Sequence, residues 1–344
     1  MKKLLKLLPL VIAVSLTACE QYEYAENNQP LLLFGTTVSF RMRVEKSYNG
    51  GKTLSDIVNT LKRIDELADA TKQRENVNVW SLNRTNDKTK INGDLYDLLE
   101  TANELKESVK YFNPFLGSLS NKWKTSLQLS EENPHPAVLS NEEIEEELAK
   151  TNGTSLNLTS KQETYPYTYY AQREGEGLID LGAIAKGYAL DECLMYLNNH
   201  TGDSEDYLIN AGKSSILLGE NLQRKDKSFI VEVSEKNPRV LINASNSFVS
   251  TSGVSEQGVE IDGTIYSHIV NPETGSVVSN YDQITVVAPN VIGCGVLSDA
   301  LSTSLMMMAS DEEIIAAEAQ FGVMVIAIKD GKIVYKSDGV TLSN

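Results

Sequence analysis

The stretch Leu178-Ile-Asp-Leu-Gly-Ala-Ile-Ala-Lys-Gly-Tyr-Ala-Leu-Asp191 decides how the rest of the sequence is interpreted. Its first four residues predict a short strand that carries Asp180 and breaks at Gly182, and a helical pattern begins at Tyr188. Lys186-Gly187 lies between them and predicts an anion site, because glycine lets the backbone approach a phosphate and helix N–H groups point at it. The order of residues fits neither a Walker A loop nor a Rossmann fingerprint. By itself, the pattern is also that of an ordinary strand-to-helix junction.

The N-terminus has the features of an export signal that is not part of the fold. Six residues with three lysines precede an apolar segment, Leu7–Leu16, which is too short to span a bilayer. Leu16-Thr-Ala-Cys19 resembles a bacterial lipobox and predicts a signal peptide over 1–18 with lipidation of Cys19. The alternative is a plain secretory signal with an incidental cysteine. We expect an exported lipoprotein, anchored by acyl chains at the periplasmic face of the inner membrane, with residues 19–30 as a polar tether.

The composition excludes one class of partner. The 344 residues contain 31 Lys and Arg against 47 Asp and Glu, a net charge of −16, so binding of nucleic acid is not expected. The length permits one large domain or two modest ones. Besides Cys19 the chain has only Cys193 and Cys294, which imply no disulfide framework.

The spacing of apolar residues predicts separate strands and helices, which is typical of an α+β fold. Alternation predicts a half-buried strand at 36–44, and a capping box at Ser140–Glu143 predicts an acidic helix that ends at Lys150. The segment Tyr165–Tyr170 contains a proline and predicts an edge strand, and Asp330-Gly331 predicts a hairpin turn. Helical spacing also occurs over residues 54–68 and 95–112.

Three polar residues carry chemistry that spacing alone leaves open. Asp299 and Thr303 lie four residues apart in a predicted helix with Ser298 as its N-cap, so both oxygens project from one face. A carboxylate and a hydroxyl are hard oxygen ligands that suit Mg²⁺ better than zinc. The alternative is that Asp299 is only a first-turn acid and Thr303 has no special role. His268 is one of three histidines, and an isolated histidine is more often structural than catalytic.

The motif Asp-Leu-Gly-Ala-Ile-Ala-Lys-Gly-Tyr-Ala-x-Asp resembles the signature of the ApbE family, the FAD:protein FMN transferases. Further blocks resemble the family's remaining motifs in the family's order: Asn210–Gly212, Thr251–Gly253 with Tyr266–Gly275, and Ser298–Thr303. The resemblance covers roughly residues 31–340 and implies a compact, two-lobed α+β domain with a flavin cleft between its lobes. Residues 120–176 match no motif and are expected to be a variable region.

The resemblance also implies the residues of the site. Asp299, Thr303 and the Ala183 carbonyl would hold Mg²⁺, with Mn²⁺ as a possible substitute, and Asp299 and His268 would be catalytic. Residues expected to bind the FAD are Phe34, Asn113, Pro114, Phe115, Asp180, Lys186, His268 and Ile269.

One departure from the family concerns the flavin pocket. The family usually carries an aromatic residue where this chain has Ala70–Asn76, which contains none. Either Trp80 substitutes for that residue from a shifted register, or one wall of the flavin pocket is missing.

The activity implied by the resemblance is transfer of the FMN part of FAD to a Thr or Ser hydroxyl of an exported target flavoprotein, such as a redox-complex subunit, with release of AMP. His268 would assist proton transfer from the attacking hydroxyl. Two alternatives remain open at this point. One is a metal-dependent FAD pyrophosphatase that produces FMN and AMP, and the other is a non-catalytic flavin-binding lipoprotein.

Overall fold

The computed structural model describes residues 22–27, 31–46, 50–127, 136–161, 165–200, 205–235, 238–254, 258–261, 263–278 and 280–343. The predicted signal peptide and Cys19 lie outside these ranges. Within them, no helix has both the length and the apolar character needed to cross a bilayer.

The described residues form eight α-helices and 17 strands. The helices are α1 (Gly50–Ala68), α2 (Val79–Leu82), α3 (Gly93–Ser108), α4 (Gly117–Leu127), α5 (Asn141–Asn152), α6 (Ala185–His200), α7 (Cys294–Leu305) and α8 (Asp311–Phe321). The strands before α6 are β1 (Tyr22–Glu26), β2 (Leu31–Leu33), β3 (Thr36–Glu45), β4 (Thr89–Ile91), β5 (Ser155–Lys161) and β6 (Thr168–Glu174). The strands after α6 are β7 (Tyr207–Ala211), β8 (Ser215–Leu218), β9 (Phe229–Ser234), β10 (Val240–Ala244), β11 (Ser247–Gly253), β12 (Val259–Ile261), β13 (Thr264–Tyr266), β14 (Gln283–Pro289), β15 (Met324–Lys329), β16 (Lys332–Lys336) and β17 (Thr341–Leu342).

A nine-stranded antiparallel sheet forms the centre of the fold and confirms the predicted α+β class. Its strands follow the order β1-β3-β7-β8-β11-β14-β15-β16, and β2 also pairs with β3. Because side chains alternate along each strand, the sheet has two apolar faces. Phe248 and Val286 belong to the main core with α6 and α7, whereas Val249 and Val287 contact a second core formed with β9 and β10. The large sheet is therefore covered by helices on one side and by the small β17-β10-β9 sheet on the other.

The N-terminal strand corrects the predicted tether. Tyr22–Glu26, within the segment expected to be a polar tether, pairs with β3 along its whole length as the edge of the large sheet. The guanidinium of Arg43 lies 3.8 Å from the Tyr22 ring centroid, and that of Arg41 lies 4.2 Å from the Tyr24 ring centroid. Aromatic residues at alternate positions favour a strand, and this alternation outweighs the polar composition of the segment.

Two elements were predicted in the variable region, residues 120–176; the prediction of the helix is confirmed and that of the edge strand is wrong. Ser140 caps α5 through its side chain, with Glu143 completing the capping box, as predicted. The segment Tyr165–Tyr170 is not an edge strand, because β6 begins only at Thr168 and lies between β4 and β5.

The predicted hairpin at Asp330-Gly331 is confirmed by the pairing of β15 with β16.

Candidate active site

An open cleft of about 740 Å³ is lined by loops and strand ends from both halves of the chain. Its walls include the β2–β3 turn, the segment after α3, the start of α6, the β7–β8 turn, part of β9 and one side of α7. Nearly all the predicted site residues line it: Phe34, Asn113, Asp180, Ala183, Lys186, His268, Ile269, Asp299 and Thr303. The fold thus brings together residues that are far apart in the sequence. Their chemical roles remain predictions.

The cleft floor is set by a close crossing of α6 and α7 at two glycines. A β-carbon on Gly187 would lie 2.2 Å from the Gly295 carbonyl oxygen and 2.8 Å from the Asp299 Cβ. One on Gly295 would lie 2.6 Å from the Gly187 carbonyl oxygen. Only glycine allows this approach, which places the side chain of Asp299 against the first turn of α6.

Asp299 is buried and held by two donors. The backbone N–H of Gly187 donates to its Oδ2 at 2.8 Å, and the Ser215 hydroxyl donates to its Oδ1 at 2.6 Å. One turn later on the same helix face, the Thr303 hydroxyl lies 3.0 Å from the Ser252 hydroxyl. Both oxygen-bearing side chains are therefore oriented before any ligand binds.

The predicted N-cap at Ser298 is wrong. Helix α7 begins at Cys294, with Gly293 as its N-cap in a left-handed conformation. Ser298 is buried inside the helix, where its hydroxyl lies 2.8 Å from that of Ser250. A glycine cap has no side chain that could identify it in the sequence, so the first turn was not recognised.

Asp191, the last residue of the signature stretch, provides the cap that Gly293 lacks. Its Oδ1 accepts hydrogen bonds from the N–H groups of Gly293 and Gly295 at 2.9 and 3.0 Å, and its Oδ2 accepts one from Val296 at 2.7 Å. Burial raises the pKa of this carboxyl to about 7, and the charge of Asp299 acts in the same direction, whereas the three N–H donors oppose the shift. This capping role of Asp191 was not predicted, although Asp191 is the last residue of the signature motif.

The segment that carries Asp180 is extended but is not a strand. It forms only an isolated parallel bridge between Leu116 and Leu178. The Asp180 N–H donates to the Pro114 carbonyl at 2.8 Å, and Asp180 Oδ1 accepts from the Gly182 N–H at 2.8 Å. The loop after α3 therefore fixes the position of Asp180 on the cleft wall.

Two of the predicted FAD contacts, at Pro114 and Phe115, are corrected by the structure. Pro114 and Phe115 are buried and do not line the cleft. Phe115 is 2% exposed and belongs to the main core. Of the three predicted residues Asn113, Pro114 and Phe115, only Asn113 lines the cleft, and its Oδ1 accepts the Phe115 N–H at 3.0 Å, which is an Asx turn. Pro114 supports the cleft through its backbone carbonyl and Phe115 through its packing in the core, and not through side-chain contacts in the cleft.

Lys186 and His268 are the charged and titratable groups near Asp180. Lys186 lies in the first turn of α6. His268 keeps exposed surface in the open cleft, yet surrounding atoms exclude enough water to lower its pKa below the usual value, and the charge of Lys186 lowers it further. The neutral imidazole is therefore favoured, and it can accept a proton near neutral pH. Next to it, Ile269 is buried and packs in the core.

The aromatic surfaces of the cleft come from Phe34, Tyr111 and Phe112. Phe34 has a positive φ of 53° in the tight turn between β2 and β3, where its N–H donates to Asp65 Oδ1 at 2.7 Å. Tyr111 also has a positive φ, of 65°. The suggestion that Trp80 forms a flavin wall is wrong, because Trp80 does not line the cleft and lies beneath the Arg84 guanidinium at 3.7 Å. Tyr111 is a cleft residue that was not predicted, although an aromatic residue directly before Phe112-Asn113 is a visible signal.

The oxygen donors of the cleft fit a hard divalent cation. Asp299 supplies a carboxylate and Thr303 a hydroxyl from one helix face. In a regular helix the N–H of Gly187 would donate to the carbonyl of Ala183, four residues earlier and on the cleft wall. Here that N–H donates to Asp299 instead. Nowhere in the described ranges do three or more His, Cys, Asp or Glu residues form a metal-binding group. A single carboxylate with neutral oxygens suits Mg²⁺, which keeps several waters and binds substrate phosphates.

Comparison with known proteins shows the same fold in several solved structures. The ApbE protein of Thermotoga maritima superposes with a TM-score of 0.72 at 24% identity, over 92% of this chain and 97% of that chain. The flavin transferase ApbE from Vibrio cholerae superposes with a TM-score of 0.67 at 22% identity, over 94% and 97% of the two chains. These likenesses show the fold.

Sequence comparison extends the likeness. The FAD:protein FMN transferase of Treponema pallidum is 28% identical over 266 residues, which are 73% of this chain and 69% of that protein. The Vibrio cholerae protein of the same name is 31% identical over 157 residues, 44% of this chain and 45% of that protein. A sequence model of the ApbE family matches residues 34–327, a range that contains every predicted cleft residue. The chain therefore belongs to the ApbE family.

Proposed function

We propose that this protein transfers the FMN part of FAD to a Thr or Ser hydroxyl of a target flavoprotein and releases AMP. One observation carries the proposal: Asp299 is buried on the floor of an open cleft, and Ser215 and Gly187 orient its carboxylate. The walls of the same cleft hold Lys186 and His268. A fixed carboxylate, a cation and a neutral imidazole are groups that can assist a displacement at phosphorus. Similarity to FAD:protein FMN transferases supports the choice of FAD as the substrate.

The dinucleotide would be held by complementary parts of the cleft. Lys186, in the first turn of α6, adds its charge to the N–H groups of a helix N-terminus, which together attract phosphate. Phe34 and Tyr111 offer aromatic surface to the flavin ring. Asp180 and Asn113 offer oxygen and nitrogen atoms for its polar groups.

Asp299, Thr303 and the Ala183 carbonyl would hold Mg²⁺, with Mn²⁺ as the other candidate. When bound, the ion would neutralise charge on the diphosphate. Ser215 and Gly187 fix the Asp299 carboxylate in advance, so little reorganisation is needed at this position.

The reaction breaks the phosphoanhydride bond of FAD and forms a phosphoester bond to the acceptor. The acceptor hydroxyl oxygen attacks the phosphorus nearer the flavin, the bond from that phosphorus to the bridging oxygen breaks, and AMP leaves with the bridging oxygen. His268, whose lowered pKa keeps it neutral, would accept the proton of the hydroxyl. Lys186 would offset the charge that accumulates on the departing phosphate.

Water is the competing acceptor, and one observation favours considering it. The cleft is open and His268 keeps exposed surface in it, so a water molecule can reach the same position as an acceptor hydroxyl. In that case the products would be free FMN and AMP. The non-catalytic alternative, a flavin-binding lipoprotein, predicts neither product.

We also propose that the mature protein is a lipoprotein at the periplasmic face of the inner membrane. The proposal rests on the lipobox-like Leu16-Thr-Ala-Cys19. Labelled palmitate should be incorporated into the wild-type protein and not into Cys19→Ser; equal labelling of the two would contradict the proposal.

The test of the activity separates the three possibilities. The full chain, solubilised in detergent, is incubated with FAD and Mg²⁺, with and without a Thr-containing segment of an exported flavoprotein, and AMP, free FMN and peptide-bound flavin are measured. AMP in amounts equal to peptide-bound flavin supports the transferase. AMP with free FMN indicates the pyrophosphatase, and FAD binding without AMP indicates the binding protein.

A further inference from the structure

Lys213 lies in the turn between β7 and β8 and lines the cleft. Its backbone adopts a left-handed conformation with φ of 67°, and its N–H donates to Asn210 Oδ1 at 2.7 Å. Glycine adopts this conformation without the steric cost that a side chain adds. The turn itself therefore does not require a lysine. Strained backbone of this kind is found most often at functional sites, so the Lys213 side chain is a candidate for a function.

The Lys213 ammonium forms an ion pair with Glu235, which also lines the cleft. The side chains of Lys213 and Glu235 are 74% and 54% exposed, respectively. An exposed ion pair of this kind contributes little to stability, because both groups are well solvated when apart. Lys213 can therefore leave Glu235 at small cost when a more strongly charged partner enters the cleft.

The charges on the cleft walls show why a second cation matters. Lys186 and Lys213 face four carboxylates among the lining residues: Asp180, Glu232, Glu235 and Asp299. A diphosphate adds two further negative charges. With Lys186 and the Mg²⁺ of the proposed metal site as the only cations, the cleft would still carry a net negative charge around the ligand, and a lysine released by Glu235 would reduce the repulsion.

Lys227 shows that strain and pairing alone do not identify a ligand site. It has φ of 55° and an exposed ion pair with Glu220 at 2.6 Å, yet it does not line the cleft. What distinguishes Lys213 is its position on the cleft wall, two residues before Ser215, which orients Asp299. Lys227 is thus a control for a left-handed lysine with an ion pair that lies away from the cleft.

We propose that Lys213 binds the diphosphate of a dinucleotide and exchanges Glu235 for it when the ligand enters the cleft. The inference rests on the proposed function in taking that dinucleotide to be FAD. It assigns to Lys213 a role in binding and positioning the substrate. It also assigns to Glu235 an opposing role, as an internal competitor that occupies the lysine in the ligand-free protein.

The test measures equilibrium binding of FAD and of riboflavin, which lacks phosphate, by quenching of flavin fluorescence with the full chain in detergent. Lys213→Gly should weaken FAD binding about tenfold, as expected for loss of a charged hydrogen bond, and leave riboflavin binding within about twofold. Lys213→Met, which keeps the length of the side chain, should behave in the same way. Glu235→Gln should tighten FAD binding by about two- to threefold, because the lysine is then free of its competitor.

The control separates the ligand effect from the effect on folding. Lys227→Gly should leave the affinity for both flavins unchanged, while the melting temperatures of Lys213→Gly and Lys227→Gly should rise by about 1–2 °C through relief of backbone strain. Unchanged FAD affinity in both Lys213 variants would overturn the inference, as would equal weakening of FAD and riboflavin. Wild-type protein that fails to bind FAD would instead contradict the proposed function, and the inference with it.

Discussion

Gly187 donates its backbone N–H to Asp299 Oδ2 at 2.8 Å across 112 residues of sequence. The bond joins the first turn of α6 to the second turn of α7, beside the close approach of the two helices at Gly187 and Gly295. The signature motif and the Asp299 motif therefore act as one structural unit. The glycine of the first motif makes space for the carboxylate of the second and also orients it.

Replacement of Gly187 by alanine should damage both folding and activity. The added methyl group would overlap the Gly295 carbonyl oxygen and press on the Asp299 Cβ, so we expect a loss of about 2–3 kcal/mol in the free energy of unfolding. Denaturant unfolding measures the loss. Gly93→Ala is the control, because its methyl group would meet only the Tyr169 ring at 3.3 Å and should cost less than about 1 kcal/mol. Equal effects of the two substitutions would argue against the close helix crossing.

Ser215→Ala should weaken metal binding more than it weakens the fold. The Ser215 hydroxyl is buried and orients Asp299 Oδ1, and removal of such an orienting group typically lowers metal affinity about tenfold or more. Calorimetric titration of Mg²⁺ in the presence of FAD measures the affinity. Ser250→Ala removes a buried hydroxyl that contacts Ser298 instead of Asp299 and should leave the metal affinity unchanged. If both variants bind Mg²⁺ like the wild type, Asp299 does not depend on Ser215 for its orientation.

Thr303→Val keeps the shape of the side chain and removes its oxygen. We expect about a tenfold weaker Mg²⁺ affinity, whereas the free energy of unfolding should change by less than about 1 kcal/mol, since Ser252 retains Ser302 as a partner at 2.9 Å. Ser302→Ala serves as the comparison, because Ser302 is buried one residue away and does not line the cleft. A Thr303→Val protein with unaltered metal titration would remove Thr303 from the proposed ligands.

The rate of AMP release should fall on the acid side only below pH 6.5. Burial and the charge of Lys186 both lower the pKa of His268 from its usual 6.5, so the neutral form that accepts a proton persists to lower pH. The same shift gives a contribution of His268 to stability that is fully present above pH 6.5 and is lost as the pH falls from 6.5 through the lowered pKa of the folded protein. At saturating FAD, Lys186→Met should move the acid limb upward, and His268→Gln should abolish it and slow the reaction by about 10²-fold or more. An acid limb above pH 6.5 in the wild type would contradict this assignment.

Sequence analysis located most of the cleft because its residues lie in short motifs around turns. Asp180 lies two residues before Gly182, whose N–H it accepts, and Lys186 lies directly before Gly187, which the helix crossing requires. The roles of Pro114 and Phe115 were wrong because a motif shows which residues occur together, and not whether side chain or backbone makes the contact. Pro114 acts through its carbonyl group on Asp180.

Other features could not be derived from local patterns. Ser215 contacts Asp299 across 84 residues, and nothing in its own neighbourhood distinguishes it from any other serine in a strand. The start of α7 depends on a glycine cap and on Asp191 from another helix, so local capping rules identified Ser298 instead. β1 was visible in principle through the alternation of Tyr22 and Tyr24, but its polar neighbours concealed it.

The most direct test of the proposed activity is the intact mass of an acceptor segment after incubation with the full chain, FAD and Mg²⁺. The account predicts that the mass increases by one FMN phosphoester, in step with AMP release, and that Asp299→Ala abolishes both signals. An acceptor that keeps its original mass while the wild type and Asp299→Ala release AMP at the same rate would contradict the account, because the cleft would then not be the site of transfer.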